Sequence, residues 1–147
     1  GGKLHADANG LPRNSWNHFM AGHGRVIQSF QRLTGDPRGN ENPGLLAVTG
    51  LWVLEHNRLC DELAEANPSW NDARLFSEAR KLVIAEIQHI TATEYVPLLI
   101  GEPLPAYSGY NPNVNVASDI GFAAAAYRYG HSGINTQYWY VEFIALL

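Results

Sequence analysis

Apolar residues recur at helical spacing through the middle of the chain, and this pattern restricts the possible folds more than any other feature of the sequence. The first run follows Asn42, which is suited to cap a helix, and Pro43, which suits a first turn because that position needs no N–H. Asn67-Pro68 ends the run, since a residue before proline disfavours helical dihedral angles. Its apolar positions are Leu45, Val48, Trp52, Leu59 and Leu63.

Two further helices are predicted downstream. One begins near Asn71-Asp72 and is interrupted or ended by Pro97, and the other is capped by Ser118 and runs to about His131. The last of these contains four consecutive alanines, which allow a close approach by a flat partner or another helix. The apolar stripe of the middle helix consists of Leu75, Ala79, Leu82, Val83, Ile87 and Ile90.

The N-terminal part of the chain has the composition of a loop. Residues 1–44 contain eight of the 14 glycines and three of the eight prolines. The sequence therefore predicts a mainly α-helical protein with one domain over residues 1–147, made of a loop-rich region at 1–42 and a helical segment at 43–147.

Composition also narrows the class of partner. The 147 residues carry 10 basic and 14 acidic side chains, a net charge of −4 without a basic tract, which excludes typical nucleic-acid binding.

The apolar runs are short and broken, so no membrane span is predicted. The start of the chain, Gly1 to His5, lacks the pattern of a signal peptide. Cys60 is the single cysteine, so no disulfide can form within the chain.

Three groups of residues carry candidate chemistry. Arg38 and Glu41 stand three residues apart before the first helix, either as a surface turn with a carboxylate favoured by the helix dipole or as a functional pair. His131 follows the alanine-rich run, either as an imidazole at a helix C-terminus or as a ligand of haem iron. The run Glu55-His56-Asn57-Arg58 lacks metal-ligand spacing and is predicted to be a hydrogen-bonded cluster that anchors its helix.

Four blocks, in order, resemble the animal haem peroxidase superfamily, which includes peroxidasins, myeloperoxidase-like enzymes and dual-oxidase peroxidase domains. Together they cover about residues 35–134, and an ordered match of this length is specific. The resemblance implies the helical fold of a central, partial segment of that domain and the hydrogen-peroxide-driven oxidation of a small donor at haem b. The blocks are Gly35 to Pro43 (Gly-Asp-x-Arg-x-x-Glu-x-Pro), Glu55 to Leu59 with Asn67 to Trp70, Arg74 to Gly101, and Phe122 to His131.

The resemblance also implies a role for each candidate residue. Arg38 corresponds to the arginine over the distal haem face, which stabilises negative charge as the peroxide O–O bond breaks. Glu41 corresponds to a carboxylate that forms an ester with a haem methyl group, and His131 to the proximal ligand of the haem iron. Arg128 is placed either to meet a haem propionate or to form a surface ion pair.

Some of the family's functional residues have no counterpart in these 147 residues. The distal His that acts as general base, and the calcium site beside it, precede the Arg38 block by more than this sequence contains, and the Asn that bonds the proximal His lies beyond its end. Asn42 stands where some members have a Met that forms an extra haem link. The resemblance thus implies haem b with at most one ester link, no calcium site within this chain, and another peroxidase chain that supplies the missing segments. It also implies a secreted or extracellular location.

Two alternatives to a peroxidase stay open at this point. The first is a catalytically silent fragment that binds haem. The second is a helical interaction module that keeps the family's helices and binds no haem.

Overall fold

The computed structural model describes residues 1–7, 32–40 and 43–134. No β-strand occurs among these residues, so the predicted mainly α-helical fold is confirmed. The α-helices are α1 (Pro43–Ala66), α2 (Asp72–Ile90), α3 (Val96–Ile100) and α4 (Ile120–Ala124). Two 3-10 helices lie at Pro37–Asn40 and Ala126–Gly133, and a π-helical turn lies at Thr91–Tyr95.

The chain divides into two compact units, residues 1–105 and 106–147, and each is described by itself. Whether the whole chain acts as a single partial domain, as the sequence predicts, stays a prediction. No helix within the described ranges has both the length and the apolar character needed to cross a membrane.

The core of the first unit lies between α1 and α2. The two helices are joined by a short turn in which Asn71 Oδ1 accepts a hydrogen bond from the backbone N–H of Arg74 at 2.9 Å and so caps α2. The start of α2 at Asp72 agrees with the helix predicted to begin near Asn71-Asp72. Pro43 is the first residue of α1, also as predicted. The buried core residues are Leu59, Cys60, Ala79 and Val83, with Trp52 and Leu63 packed against them.

Ala79 is fully buried in the core between these helices, with 0% of its surface exposed. Replacing Ala79 with leucine should lower the free energy of unfolding by about 1–3 kcal/mol, since the added methyl groups have no space in a packed core. Urea denaturation followed by circular dichroism measures the change. Ala85, which is exposed on the same helix, provides the matched control, because Ala85→Leu adds the same groups outside the core. Equal stability of both variants would contradict this packing.

Pro97 interrupts the second helix without ending the helical path. The turn at Thr91–Tyr95 is π-helical, and α3 then continues to Ile100 with Pro97 in its first turn. A proline inside an α-helix removes one hydrogen bond, and its ring collides with the carbonyl four residues earlier, so a wider preceding turn relieves the conflict. Gly101, with φ of 82°, closes α3 in the left-handed conformation that glycine adopts without strain.

Two asparagine side chains fasten the N-terminal segments to the rest of the first unit. Asn57 on α1 accepts from the N–H of Leu4 at 2.7 Å and donates to its carbonyl at 3.1 Å. Asn40 bonds the backbone of Arg32 in the same two-point way, at 2.7 and 2.9 Å. The Arg32 guanidinium also pairs with Asp7 at 2.8 Å. These contacts hold residues 1–7 and 32–40 together, although the described parts of the predicted loop-rich region form no long helix or strand.

The second unit departs from the helix predicted between Ser118 and His131. Asp119, rather than Ser118, caps α4, because its Oδ1 accepts from the N–H groups of Gly121 and Phe122. The α-helix ends at Ala124, and a 3-10 helix carries the chain onward to Gly133. Every described residue of this unit is exposed, so helix propensity acts without packing, and propensity alone rarely sustains a long helix. The prediction of one continuous helix was therefore wrong.

Candidate haem-binding residues and the groove between helices α1 and α2

Arg38 lies in the 3-10 helix that precedes α1. Its guanidinium forms a forked pair with Asp36, with Nη2 to Oδ2 at 2.6 Å and Nε to Oδ1 at 2.9 Å. The Arg38 side chain is 70% exposed. Hydrogen bonds from Arg38 lower the pKa of the Asp36 carboxyl to about 2. The pair therefore stays ionised through the neutral range and fixes the direction of the Arg38 side chain.

The backbone around Arg38 is shaped by a close contact between Gly39 and Thr34. A Cβ atom on Gly39 would lie 2.7 Å from Thr34 Oγ1 and 2.9 Å from its Cβ, so a larger residue would force the two segments apart. Thr34 Oγ1 and Gly39 N–H both donate to the carbonyl of Asp36, at 2.6 and 3.0 Å. Gly39, the residue directly after Arg38, thus permits the tight turn that presents Arg38.

Glu41, the predicted site of a haem ester, falls outside the described residues, as does the predicted helix cap Asn42. Their roles stay predictions from the resemblance.

His131 and Arg128 lie on the 3-10 helix of the second unit, and both side chains are exposed. Arg128 makes no ion pair with another described residue, while its backbone N–H donates to the carbonyl of Ala125 at 2.9 Å. The surface ion pair considered for Arg128 is thus not found in the described part of the chain. Arg38 belongs to the first unit and His131 to the second, so their placement on opposite faces of a haem stays a prediction.

The residues around His131 suit the needs of a haem. A haem iron requires one imidazole nitrogen and lateral room for a flat ring. His131 supplies an exposed imidazole between Gly130 and Gly133, and a Cβ added at either glycine would meet open space. The described ranges contain no group of three or more His, Cys, Asp or Glu side chains that could hold a bare metal ion.

The polar run Glu55-His56-Asn57-Arg58 anchors α1, as the sequence predicts. Arg58 pairs with Glu55 at 2.5 Å on its own helix and also with Glu62. Hydrogen bonding to Arg58 lowers the pKa of Glu55. Burial, followed by the nearby charge of Glu55, raises the pKa of Glu86 on α2. The cluster therefore joins charges on both helices of the first unit.

His56 has an environment that the sequence pattern does not reveal. Its side chain is buried and Nδ1 lies 3.7 Å from Cys60 Sγ, while its ring centroid is 5.2 Å from that of Phe76. Nε2 has no hydrogen-bond partner among the described residues. Burial raises the pKa of the Cys60 thiol, which keeps it protonated and unreactive. The one sequence signal for this environment is the spacing of four residues between His56 and Cys60, which places both side chains on the same face of the helix.

A groove of about 450 Å³ runs between α1 and α2, and His56 contributes to it. We call this the α1–α2 groove. Most of its lining is apolar, and a smaller cavity of about 270 Å³ beside it reaches Thr34 and Gly35 of the Arg38 block. The residues that line the α1–α2 groove are Leu4, Thr49, Trp52, Val53, His56, Phe76, Arg80, Val83, Ile84 and Ile87.

Comparison with known proteins relates this chain to peroxidases and oxidoreductases. A family model described as animal haem peroxidase matches residues 1–144. The human protein named probable oxidoreductase PXDNL is 48% identical over 107 residues, which are 70% of this chain and 7% of that protein. Peroxinectin A from Dictyostelium discoideum is 44% identical over 100 residues, 68% of this chain and 19% of that protein.

A solved structure shares the fold. Peroxidase A from Dictyostelium discoideum superposes with a TM-score of 0.66 and 39% identity, covering 83% of this chain and 22% of that one. The chain therefore spans less than a quarter of each of these relatives.

Proposed function

Because this chain belongs to the animal haem peroxidase family, we propose that it forms part of an enzyme that uses hydrogen peroxide to oxidise small donors at haem b. The observation that carries the proposal is the family match over residues 1–144, which includes the Arg38 and His131 motifs in order. When bound, haem supplies the oxidising chemistry, and the protein places ligand and charge around it.

Each of the candidate residues has one task in this proposal. His131 holds the haem iron through its imidazole, and Arg128 meets a propionate. Arg38 stabilises the negative charge that develops on peroxide oxygen, a task that suits a guanidinium whose direction is already fixed by Asp36. Glu41 forms one ester with haem. The general base that moves the peroxide proton comes from outside these 147 residues, on another peroxidase chain or segment.

The relatives' names also bear on where the protein acts. Peroxidasin and chorion peroxidase of Drosophila melanogaster are among them, at 45% and 42% identity. We propose a secreted or extracellular location on this family resemblance. Expression of the gene product with an epitope tag, followed by assay of medium and cell lysate, tests it, and retention of all the protein in the lysate would contradict it.

The isolated chain should be a poor peroxidase, and this expectation tests the proposal directly. A general base contributes about 10²–10⁴-fold to a proton transfer, and the chain has no counterpart of the family's distal His. Solvent around an exposed His131 and Arg38 further weakens their electrostatic effect. Steady-state oxidation of a phenol by the haem-loaded chain should exceed haem alone only slightly. Rates equal to those of a full-length family enzyme would show that the missing base is dispensable.

A catalytically silent haem-binding fragment is the second candidate. The exposure of every described residue in the second unit favours it, since a haem held against residues 106–134 would lack a dry environment. Addition of the remaining domain segments distinguishes the two. A peroxidase regains turnover in this experiment, whereas a silent fragment binds haem without gaining activity.

Glu41 should become covalently linked to haem after turnover with peroxide. Its place three residues after Arg38 matches the family carboxylate, and the second family carboxylate has no counterpart here, so one link is expected. Tryptic digestion and mass spectrometry should find haem on the peptide that contains Glu41. The variant Glu41→Gln is the control, because it keeps the size of the side chain and removes the carboxylate. Complete recovery of free haem after acid–solvent extraction would rule the link out.

A further inference from the structure

The turn that carries Arg38 contains a carboxylate that binds both the backbone and the side chain of that arginine. Asp36 Oδ1 accepts from the backbone N–H of Arg38 at 2.9 Å and from its Nε at 2.9 Å. Asp36 Oδ2 accepts from Nη2 at 2.6 Å. One side chain therefore determines both the path of the turn and the direction of the guanidinium.

The contact with the guanidinium matters because that group lies in solvent. The Arg38 side chain is 70% exposed, and a long exposed side chain samples many rotamers unless a partner restrains it. A carboxylate that meets two nitrogens of a guanidinium also fixes the plane of the group. Asp36 thus restricts the motion of Arg38 where core packing does not.

Asn40 holds the backbone of the same turn at its other end. It is the last residue of the 3-10 helix that carries Arg38. Its Oδ1 accepts from the N–H of Arg32 at 2.7 Å, and its Nδ2 donates to the carbonyl of Arg32 at 2.9 Å. Two hydrogen bonds between the same two residues fix their relative orientation, which a single bond leaves free to rotate. The end of the turn is therefore tied to the segment that precedes it.

We propose that Asp36 and Asn40 are positioning residues for Arg38, with Asp36 directing the guanidinium and Asn40 holding the backbone of the turn. This rests on the proposed function, in which Arg38 stabilises negative charge on peroxide oxygen. A donor that already points at the developing charge needs no reorganisation during the reaction. Neither Asp36 nor Asn40 has to contact haem or peroxide, so both act only through Arg38.

The first test separates the two contacts of Asp36. In the chain completed by the remaining segments of a peroxidase domain, Asp36→Asn should slow the reaction with peroxide about fivefold, the scale of an exposed ion pair, while haem binds as before. Asparagine can still accept from the backbone N–H of Arg38, but it places a donor where Nη2 needs an acceptor. Asp61→Asn is the matched control, because Asp61 forms a surface ion pair with Lys3 at 2.7 Å. That variant should react at the normal rate.

The second test addresses the backbone. Asn40→Ala should also slow the reaction with peroxide about fivefold, because both hydrogen bonds to Arg32 are lost. If circular dichroism shows that this variant has lost helicity, Asn40→Asp takes its place, since aspartate keeps the acceptor and removes only the donor. Asn67→Ala is the control, because Asn67 is a partly buried asparagine whose Nδ2 donates to the carbonyl of Leu63 at 3.0 Å.

A double-mutant cycle distinguishes positioning from a general structural role. In an Arg38→Ala background, neither Asp36→Asn nor Asn40→Ala should slow the reaction any further, because the group that they position is gone. Residues that support the fold independently of Arg38 would instead add their effects to that of Arg38→Ala.

NMR spectra of the isotope-labelled 147-residue chain without haem provide a readout that does not depend on activity. Asp36→Asn should move the Nε–H signal of Arg38 and largely preserve its backbone N–H signal. Asn40→Ala should move both signals, because it releases the backbone of the turn. Asp61→Asn should leave both signals in place.

Four results would overturn the proposal. A normal rate in either Asp36→Asn or Asn40→Ala, when Arg38→Ala is slow, would remove that residue from the assignment and leave the proposed function standing. Additive effects in the double variants would assign a structural role. An unmoved Nε–H signal in Asp36→Asn would show that Asp36 does not hold the guanidinium. A normal rate in Arg38→Ala would reject the proposed task of Arg38, and with it any need to position that side chain.

Discussion

Replacing His131 with alanine should remove specific haem binding from this chain. The imidazole is the proposed axial ligand, and loss of a group that merely orients a metal ligand already costs about 10–100-fold in affinity. Loss of the ligand itself should therefore cost at least roughly 10²-fold. Titration with haem, followed by the visible absorption spectrum, measures both affinity and ligation.

His89 provides the control for this experiment. It is an exposed histidine near the end of α2, in the first unit, and His89→Ala should leave the haem spectrum as it is. Adding free imidazole to His131→Ala should restore part of the original spectrum, because the small molecule can fill the space left by the side chain. An unchanged spectrum and affinity in His131→Ala would remove this residue from the site.

Replacing Arg38 with alanine should slow the reaction with peroxide by about 10²–10³-fold while haem still binds. The measurement uses the chain completed by the remaining segments of a peroxidase domain, in which the reaction is fast enough to follow by stopped flow. Arg74→Ala is the control, since Arg74 is an exposed arginine whose guanidinium lies 4.2 Å from the centre of the Trp70 ring. Loss of haem and helicity together in Arg38→Ala would point to a structural role.

The pKa of Asp36 provides a test of its contact with Arg38 that does not require enzyme turnover. Arg38 holds the pKa of Asp36 at about 2 against an ordinary value of 3.8, so Arg38→Ala should return it toward the ordinary value. A carboxyl with a lowered pKa stabilises the fold above its ordinary pKa, and this contribution is lost as the pH falls toward 2. The pair is thus intact at neutral pH. Titration of the Asp36 carboxyl carbon by NMR measures the shift.

The helices of the first unit were largely predictable because they follow local rules. Pro43 begins α1, Asn71 caps α2, and Leu59, Ala79 and Val83 from the two apolar stripes are buried. Other members of the stripes, among them Val48 and Ile87, are exposed. Periodicity shows which side of a helix is apolar, but burial of that side depends on what lies against it.

The candidate site was predictable only in part, and for a related reason. The motifs pointed to Arg38 and His131, yet helical spacing did not show that Asp36 holds Arg38 or that the alanine-rich segment changes to a 3-10 helix. The spacing of His56 from Cys60 hinted that its side chain faces inward, but its unpaired Nε2 could not be predicted, because that atom is buried by the packing of α1 against α2. The Asp36–Arg38 pair depends on the geometry of a local turn, whereas the environment of His56 depends on Phe76 from the other helix.

The π-helical turn at Thr91–Tyr95 affects the direction in which the side chains of the following helix, α3, point around the helix axis. Such a turn holds an extra residue compared with an α-helix, and each residue of an α-helix turns the chain by about 100°. The wider turn absorbs this extra residue, so its five residues rotate the chain by about as much as four residues of an α-helix. Leu98, Leu99 and Ile100 therefore point in a direction that differs by about 100° from the one they would have in an uninterrupted α-helix of the same length.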